Sequence, residues 1–229
     1  NTYNLNDQNT AACTGSCPAG YYCRKQTTNP EQCRAGTYCP SESAAETACP
    51  AGTYSNISTN VAYNESEHAS ILGQLATKIE ACEFCFRGTF CPERSKQPTP
   101  CYTGTYANES GQEACIECAS GTFQSLTAQT SCEMCEAGSY CPLSASVPTE
   151  CAAGTYSNAT DLSLAEECKD CSMGFYCKIG AIEPVPCPSG KAGTEPKLVE
   201  EERCVTCTGE TTSLPGTTSC NFCKTGYYN

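Results

Sequence analysis

The chain of 229 residues contains 24 cysteines and no tryptophan, and it carries a formal net charge of −12. This cysteine content exceeds the ~8–10% that marks a disulfide scaffold, which belongs in an oxidising compartment. The charge argues against nucleic acid and anionic membranes as partners, because both require patches of lysine and arginine. No apolar run approaches the ~20 residues of a membrane span. We therefore expect an extracellular or cell-surface protein of the secretory pathway, held together by disulfides in place of a large hydrophobic core.

Two cysteine signatures recur along the chain, Cys-x2-Cys and Cys-x2-Gly-x-aromatic. The second signature begins at Cys17, Cys33, Cys49, Cys85, Cys101, Cys118, Cys135, Cys151, Cys171 and Cys223. It weakens after Cys187 and after Cys207. Glycine at this offset allows the positive φ of a tight turn, and the aromatic ring can shield a disulfide. Recurrence at this short period predicts a tandem array in which each unit contacts its neighbours.

The predicted fold class is small and disulfide-rich: an elongated tandem array of short β-hairpin and loop modules, with one inserted helix. The cysteine spacing divides the chain as follows. Residues 1–12 form a polar linker or part of a loop shared with a preceding module, residues 13–49 are compressed modules, and residues 50–82 are a glycosylated module with an insertion. Three long modules follow, at residues 83–118, 136–171 and 172–207, and a short module at residues 119–135 separates the first from the second. Residues 208–229 are a short module followed by an open half-module.

The insertion is predicted to contain an amphipathic helix near residues 68–81. Ile71, Leu72, Leu75 and Ile79 fall at helical spacing and would form its apolar face. This helix would either cover neighbouring modules or dock on another chain.

The Cys-x2-Cys pairs would suggest zinc in an intracellular protein. Here they alternate with Gly-aromatic turns, and the chain has one histidine, His68, with no recognisable partner. We therefore predict disulfides, with no metal site and no cofactor. Glu200, Glu201 and Glu202 are interpreted as a solvated loop rather than a calcium site. No nucleophile elbow, phosphate loop or carboxylate pair is recognisable, so a non-enzyme is predicted.

Four Asn-x-Ser/Thr sequons are present, at Asn56, Asn64, Asn108 and Asn158. Three of them, at Asn56, Asn108 and Asn158, lie seven residues after the cysteine of a Cys-x2-Gly-Thr-Tyr motif. These three asparagines therefore occupy equivalent loops, and we predict N-linked glycans there.

The run Cys17-Pro-Ala-Gly-Tyr-Tyr-Cys23, together with Cys-x2-Gly-Thr-Tyr-Ser-Asn, resembles a known repeat family. It is similar to the ephrin-receptor-like (GCC-type) cysteine-rich repeats of the growth-factor-receptor superfamily, which occur in surface proteins of protists and animals. The closing loop is also similar to the A-type module of tumour-necrosis-factor receptors. The resemblance covers nearly all of residues 13–228 and fails mainly at 57–81. It implies a fold style and a compartment, but such repeats serve as spacers, adhesion stalks and ligand-binding ectodomains alike.

The resemblance also implies that the second cysteine of each Cys-x2-Cys joint pairs with the first cysteine of the next joint. The pairs implied in this way are Cys118–Cys132, Cys207–Cys220 and Cys49–Cys82.

Units with four cysteines allow three connectivities, and the sequence does not choose among them. For the unit that opens at Cys135, we favour a crossed pattern, Cys135–Cys151 with Cys141–Cys168. A nested pattern, with Cys141–Cys151 inside Cys135–Cys168, stays open.

The two ends of the chain suggest a continuation. Cys223 opens a module that does not close, and Cys13 is a closing cysteine with no opener before it. Joining the tail of one copy to the head of the next would complete a loop of ordinary length. Cys13 and Cys223 are therefore candidates for an inter-repeat or inter-subunit contact, in a longer polypeptide or a head-to-tail filament. The alternative is a chain cut at arbitrary points.

Two classes of function fit these patterns. The first is an extracellular structural protein, a glycosylated subunit of a surface filament, stalk or coat that associates with copies of itself. The second is a ligand-binding or adhesion ectodomain of a cell-surface receptor. Binding surfaces usually show aromatic residues that the scaffold does not need. Only a few aromatic residues, such as Tyr63, Phe84, Phe86 and Phe222, lie outside the repeat, so we favour the structural class.

Overall fold

The computed structural model describes residues 15–25, 27–56 and 82–227, together with the backbone of residues 2–3. Its regular structure consists of antiparallel hairpins whose strands have two residues each. In chain order the paired strands are Thr2–Tyr3 with Gly15–Ser16, Tyr21–Tyr22 with Glu31–Gln32, Thr37–Tyr38 with Thr47–Ala48, Thr53–Tyr54 with Glu83–Phe84, Thr89–Phe90 with Thr99–Pro100, Thr105–Tyr106 with Ile116–Glu117, Thr122–Phe123 with Glu133–Met134, Ser139–Tyr140 with Thr149–Glu150, Thr155–Tyr156 with Lys169–Asp170, Phe175–Tyr176 with Val185–Pro186, Lys191–Ala192 with Val205–Thr206, and Thr211–Thr212 with Phe222–Cys223. The predicted fold of small disulfide-rich hairpin modules is confirmed.

Helical structure among the described residues is limited to two single turns of 3₁₀ helix, at Ala165–Glu167 and Glu201–Arg203. The amphipathic helix predicted near residues 68–81 lies outside the described residues and stays a prediction.

We number the modules by the cysteine that opens each one. Modules 1 to 11 open at Cys17, Cys33, Cys49, Cys85, Cys101, Cys118, Cys135, Cys151, Cys171, Cys187 and Cys207. The chain divides into two compact units, one formed by Asn1–Tyr102, Tyr106–Ile116 and Thr127–Thr130, the other by Thr103–Thr105, Glu117–Leu126 and Ser131–Asn229. The same module architecture occurs within each unit.

Modules 1 to 10 begin with a tight turn at the glycine three residues after the opening cysteine, and module 6 illustrates this turn. Gly121 has a φ of 84°, and the Thr122 N–H donates to the Ala119 carbonyl at 3.0 Å. This is the hydrogen bond of a turn with glycine at its left-handed position. The Thr122 hydroxyl donates to the same carbonyl at 2.7 Å, which explains the preference for threonine after glycine. The positive φ predicted for the turn glycines is therefore confirmed.

The turn glycine also contacts the next two modules. The Gly121 N–H donates to the Cys141 carbonyl of module 7 at 2.8 Å, and the Gly121 carbonyl accepts from the Cys135 N–H at 2.9 Å. A Cβ atom at Gly121 would lie 2.5 Å from the Asp161 carbonyl oxygen of module 8. The Asp161 N–H in turn donates to the Cys135 carbonyl at 2.9 Å. Three successive modules thus meet at one glycine that has no room for a side chain.

The disulfides fall into two classes. Local disulfides join cysteines six residues apart: Cys17–Cys23, Cys33–Cys39, Cys85–Cys91, Cys135–Cys141 and Cys171–Cys177. Hairpin-closing disulfides span the two strands: Cys49–Cys82, Cys101–Cys115, Cys118–Cys132, Cys151–Cys168, Cys187–Cys204 and Cys207–Cys220. The second class includes all three pairs that the family resemblance implied.

For the four-cysteine unit the favoured crossed pattern is wrong, and so is the nested one. Cys135 bonds to Cys141, and Cys151 bonds to Cys168. The physical reason is the turn itself, which brings the Cα atoms of Cys135 and Cys141 to 5.9 Å, a distance that a disulfide spans without backbone movement. The cysteine after the aromatic residue is therefore used locally, and the next module closes on its own.

The aromatic ring of a module covers the disulfide of the module that follows. Tyr140 of module 7 packs against the cluster formed by Cys151, Cys168 and Leu162 of module 8. Tyr54 of module 3 likewise belongs to a buried cluster with the disulfide of module 4. The hydrophobic core is therefore a series of small clusters, and all but the one at Cys17 and Cys23 are shared by two consecutive modules.

Two substitutions separate the cost of the turn conformation from the cost of the contact between modules. Gly121 and Gly190 have nearly the same φ, 84° and 82°, but a Cβ atom at Gly190 would have no atom within 4 Å. Gly190→Ala should lose only the ~1–2 kcal/mol of a left-handed residue. Gly121→Ala should lose a further ~1–3 kcal/mol, because its methyl group collides with the Asp161 carbonyl.

Scanning calorimetry of the two oxidised variants would measure this difference. A clearly lower melting temperature for Gly121→Ala than for Gly190→Ala is expected. Equal destabilisation would show that the close contact with Asp161 does not contribute to stability.

Candidate functional surface

The candidate functional surface is the set of loops that follow the first strand of each hairpin and carry the sequons. In module 5 the aromatic residue Tyr106 is followed by Ala107, which is fully buried, and by Asn108, which is exposed. The Ala107 N–H donates to the Gln129 carbonyl at 3.0 Å. This bond holds the backbone at Ala107 against the following module, and the chain becomes exposed one residue later.

Modules 3 and 8 repeat this arrangement. Ser55 and Ser157 are almost fully buried, whereas Asn56 and Asn158 are exposed. In module 8 the Ser157 hydroxyl accepts a hydrogen bond from the Ala159 N–H at 3.2 Å, which fixes the start of the loop. Equivalent loops therefore present equivalent asparagine side chains.

The side chain of Asn108 is hydrogen-bonded within its own loop. Its Oδ1 atom accepts a hydrogen bond from Gln112 Nε2 at 3.4 Å. The atom to which an oligosaccharide would be attached is the amide nitrogen Nδ2, which this contact does not use. The fourth sequon, at Asn64, lies outside the described residues.

The residue after the aromatic residue differs between modules with a local disulfide and modules with a hairpin-closing disulfide. This residue is a buried cysteine where the disulfide is local, as in Cys91 and Cys141. It is a buried small or polar residue where the disulfide closes the hairpin. The next residue is Pro92 or Pro142 after those two cysteines, whereas Asn108 and Asn158 follow small residues. The described sequons therefore lie only in modules that close across the hairpin. Sequence reasoning missed this rule, although the Cys-x5-Cys spacing was visible.

Two tyrosines are anchored by glutamates of the opposite strand. The Tyr54 hydroxyl donates to Glu83 Oε2 at 2.7 Å, and the Tyr22 hydroxyl donates to Glu31. The hydrogen bond to the carboxylate, followed by burial, raises the pKa of Tyr54 above its ordinary value, and the pKa of Tyr22 is raised for the same reasons. These pairs fix the rings over the next disulfide, and no motif in the sequence indicates them.

Phe84 and Phe86 are two exposed aromatic residues on either side of a cysteine. Phe84 is 65% exposed and Phe86 is 60% exposed, while Cys85 between them is fully buried. Phe86 also lies against Tyr54, with ring centroids 6.1 Å apart. Among the other aromatic residues outside the repeat, Phe222 is 44% exposed, and Tyr63 lies outside the described residues.

The acidic run near the end of the chain is held by ion pairs. Glu201 begins the short 3₁₀ helix and contacts Lys191 Nζ at 2.9 Å, and Glu200 contacts Arg203 at 3.8 Å. Within the described ranges, no group of three or more His, Cys, Asp or Glu side chains is placed to hold a metal ion. His68 lies outside these ranges.

The two terminal cysteines differ in what the structure shows. Cys13 lies outside the described residues. Cys223 ends a strand and opens a further turn, in which the Tyr227 N–H donates to the Lys224 carbonyl at 3.0 Å and Gly226 has a φ of 96°. This is the turn that opens the other modules.

In the part of the chain that the structure describes, no helix has the length and apolar character needed to cross a bilayer.

Comparison with known families gives a match in the middle of the chain. Residues 104–150 match the family model described as tyrosine-protein kinase ephrin type A/B receptor-like. The predicted resemblance to ephrin-receptor-like repeats is confirmed there. A search among curated proteins found no significant match. The many disulfides and this family indicate an extracellular or cell-surface location, and ephrin-receptor-like repeats are typically non-enzymatic.

The exposure of the sequon loops predicts which asparagines are modified. When the chain is secreted by a eukaryotic cell, Asn56→Gln, Asn108→Gln and Asn158→Gln should each remove the mass of one N-linked glycan. The control is Asn29→Gln, because Asn29 is also exposed but is followed by proline and belongs to no sequon. Intact mass before and after treatment with peptide N-glycosidase measures the effect. Three variants with the wild-type glycan mass would show that the loops are not glycosylated.

Proposed function

We propose that the chain is an extracellular structural protein, a glycosylated cysteine-rich repeat subunit of a surface filament, stalk or coat. The observation that carries this proposal is the set of backbone contacts between successive modules. In module 7 the Gly138 N–H donates to the Ser157 carbonyl of module 8 at 2.9 Å, and the Gly180 N–H of module 9 donates to the Cys151 carbonyl at 2.9 Å. Consecutive modules are thereby hydrogen-bonded to each other, which suits a part that must keep its form without a large core.

The disulfides support the same function. A loop of about 15 residues closed by a disulfide gains ~3 kcal/mol in the chain-entropy model, and Cys101–Cys115 and Cys118–Cys132 both span 14 residues. A chain stapled at such short intervals exposes little unfolded backbone to proteases. Glycans on Asn56, Asn108 and Asn158 would add further protection at equivalent places. No catalytic role is part of this proposal.

Self-association is proposed to be head-to-tail. The turn at 223–227 repeats the opening turn of a module, so the array pattern reaches the last described residues. A module begun by one copy would be completed by the head of the next copy, with Cys13 and Cys223 as the candidate contact residues. Contacts of this kind, between different surfaces of identical subunits, give open fibres when they do not close a ring.

A second candidate is a ligand-binding or adhesion ectodomain. The observation that favours it is the exposed pair Phe84 and Phe86, because aromatic residues dominate the energetic centres of protein interfaces. Docking of the predicted helix at 68–81 on another chain would belong to this candidate.

Electron microscopy of the native material separates the two candidates. Filaments with an axial repeat near the length of one chain are expected if the chain is a structural subunit. Brief reduction, which opens the disulfides, should disperse them. Isolated or membrane-anchored particles would contradict the structural proposal and favour the ectodomain.

A further inference from the structure

One position of the hairpin lies against the loop two modules further along. The position is the second residue of the returning strand, as in Phe84 of module 3. A Cβ atom at Gly111 of module 5 would lie 2.9 Å from Phe84 Cδ1 and 3.5 Å from Phe84 Cε1. In the other unit, Asp170 of module 8 contacts Lys197 of module 10 at 2.9 Å from Oδ1 to Nζ. The same register therefore recurs in both units.

Opposite the loop that begins with Asn108 this position is aromatic, because Phe84 lies there and contacts Gly111. Phe84 is 65% exposed. The register itself does not require an aromatic residue. In modules 1, 2 and 4 to 9 the residues at this position are Gln32, Ala48, Pro100, Glu117, Met134, Glu150, Asp170 and Pro186.

We propose that Phe84 is a stacking platform for the first N-acetylglucosamine of the Asn108 glycan. This inference rests on the proposed glycosylation. One face of a pyranose ring presents C–H bonds and is apolar, and a phenyl face offers it a large, rigid contact.

The distances allow this contact at Asn108. Asn108 is three residues from Gly111, so their Cα atoms are at most ~11 Å apart. The hydrogen bond from Gln112 to Asn108 Oδ1 holds the asparagine within the loop that Phe84 contacts. A sugar on Nδ2 would therefore start on the loop that Phe84 contacts, within reach of the phenyl ring. Stacking would cover an apolar surface that otherwise faces water and would restrain the glycan against the hairpin.

The test uses the full secreted chain, labelled with ¹³C in its sugars and trimmed by an endoglycosidase to one N-acetylglucosamine per site. Protons of a sugar stacked on an aromatic face move upfield in the NMR spectrum. We expect such a shift for the sugar on Asn108, with cross-peaks to the Phe84 ring, and loss of both in Phe84→Ala. The assignment of that sugar comes from its disappearance in Asn108→Gln.

Phe86→Ala is the matched control, because Phe86 is similarly exposed but packs against Tyr54. It should leave the Asn108 sugar unchanged. A glycan on Asn108 whose protons show no upfield shift, or whose shift survives Phe84→Ala, would overturn the stacking inference alone. Absence of any glycan on Asn108 by mass spectrometry would overturn this inference together with the proposed glycosylation. Because Phe84 is largely exposed, its truncation should leave the disulfides intact, which the unreduced mass confirms.

Discussion

The structure depends on the covering of disulfides by aromatic rings of the preceding modules, which is seen in modules 2, 4, 7, 8 and 10. A module of about 16 residues has too few apolar side chains to enclose its own core. Tyr140 covers the disulfide of the next module, and Tyr176 covers that of Cys187 and Cys204 in the same way. Stability is therefore a property of neighbouring pairs, as in other repeat proteins, and it does not belong to any single hairpin.

The contacts between modules come from the turn and from particular residues of the connection to the returning strand, such as Asp161, so the remaining residues of the connection can vary. Module 3 shows this clearly. Residues 57–81 are inserted between its strands, yet Cys49 still bonds to Cys82, and the Gly52 N–H still donates to the Cys91 carbonyl at 2.7 Å. Insertions and sequons can therefore occur in these loops without loss of the array, which is where a structural protein would carry its glycans.

The sequence was sufficient to predict the features that depend on local geometry. The Gly121 turn and the exposure of Asn108 follow from residue type and spacing, whereas the closure of Cys118 on Cys132 was implied by the family resemblance. The local bond between Cys135 and Cys141 could not be derived in the same way, because pairing depends on which sulfur atoms the turn brings together. The packing partner of the Tyr140 ring could not be predicted for a related reason, because the disulfide that the ring covers belongs to a different module.

The surface could be predicted only in part. The sequons mark the exposed loops, but the relation between Phe84 and the loop of Asn108 requires the register of modules two apart, which no single motif encodes. The same register places a charged pair, Asp170 and Lys197, at the corresponding point of another module. Side chains of different chemistry therefore occupy this position in different modules.

The central claim is that each module closes its own disulfide and is joined to the next by packing. Digestion of the unreduced chain at acidic pH with a glutamate-specific protease, which cuts at Glu136 and Glu150, tests it most directly by peptide mass spectrometry. The account predicts that the peptide with Cys141 is recovered bonded to the peptide with Cys135. Recovery of Cys141 bonded to Cys168 would mean that modules are cross-linked covalently, and it would contradict the account.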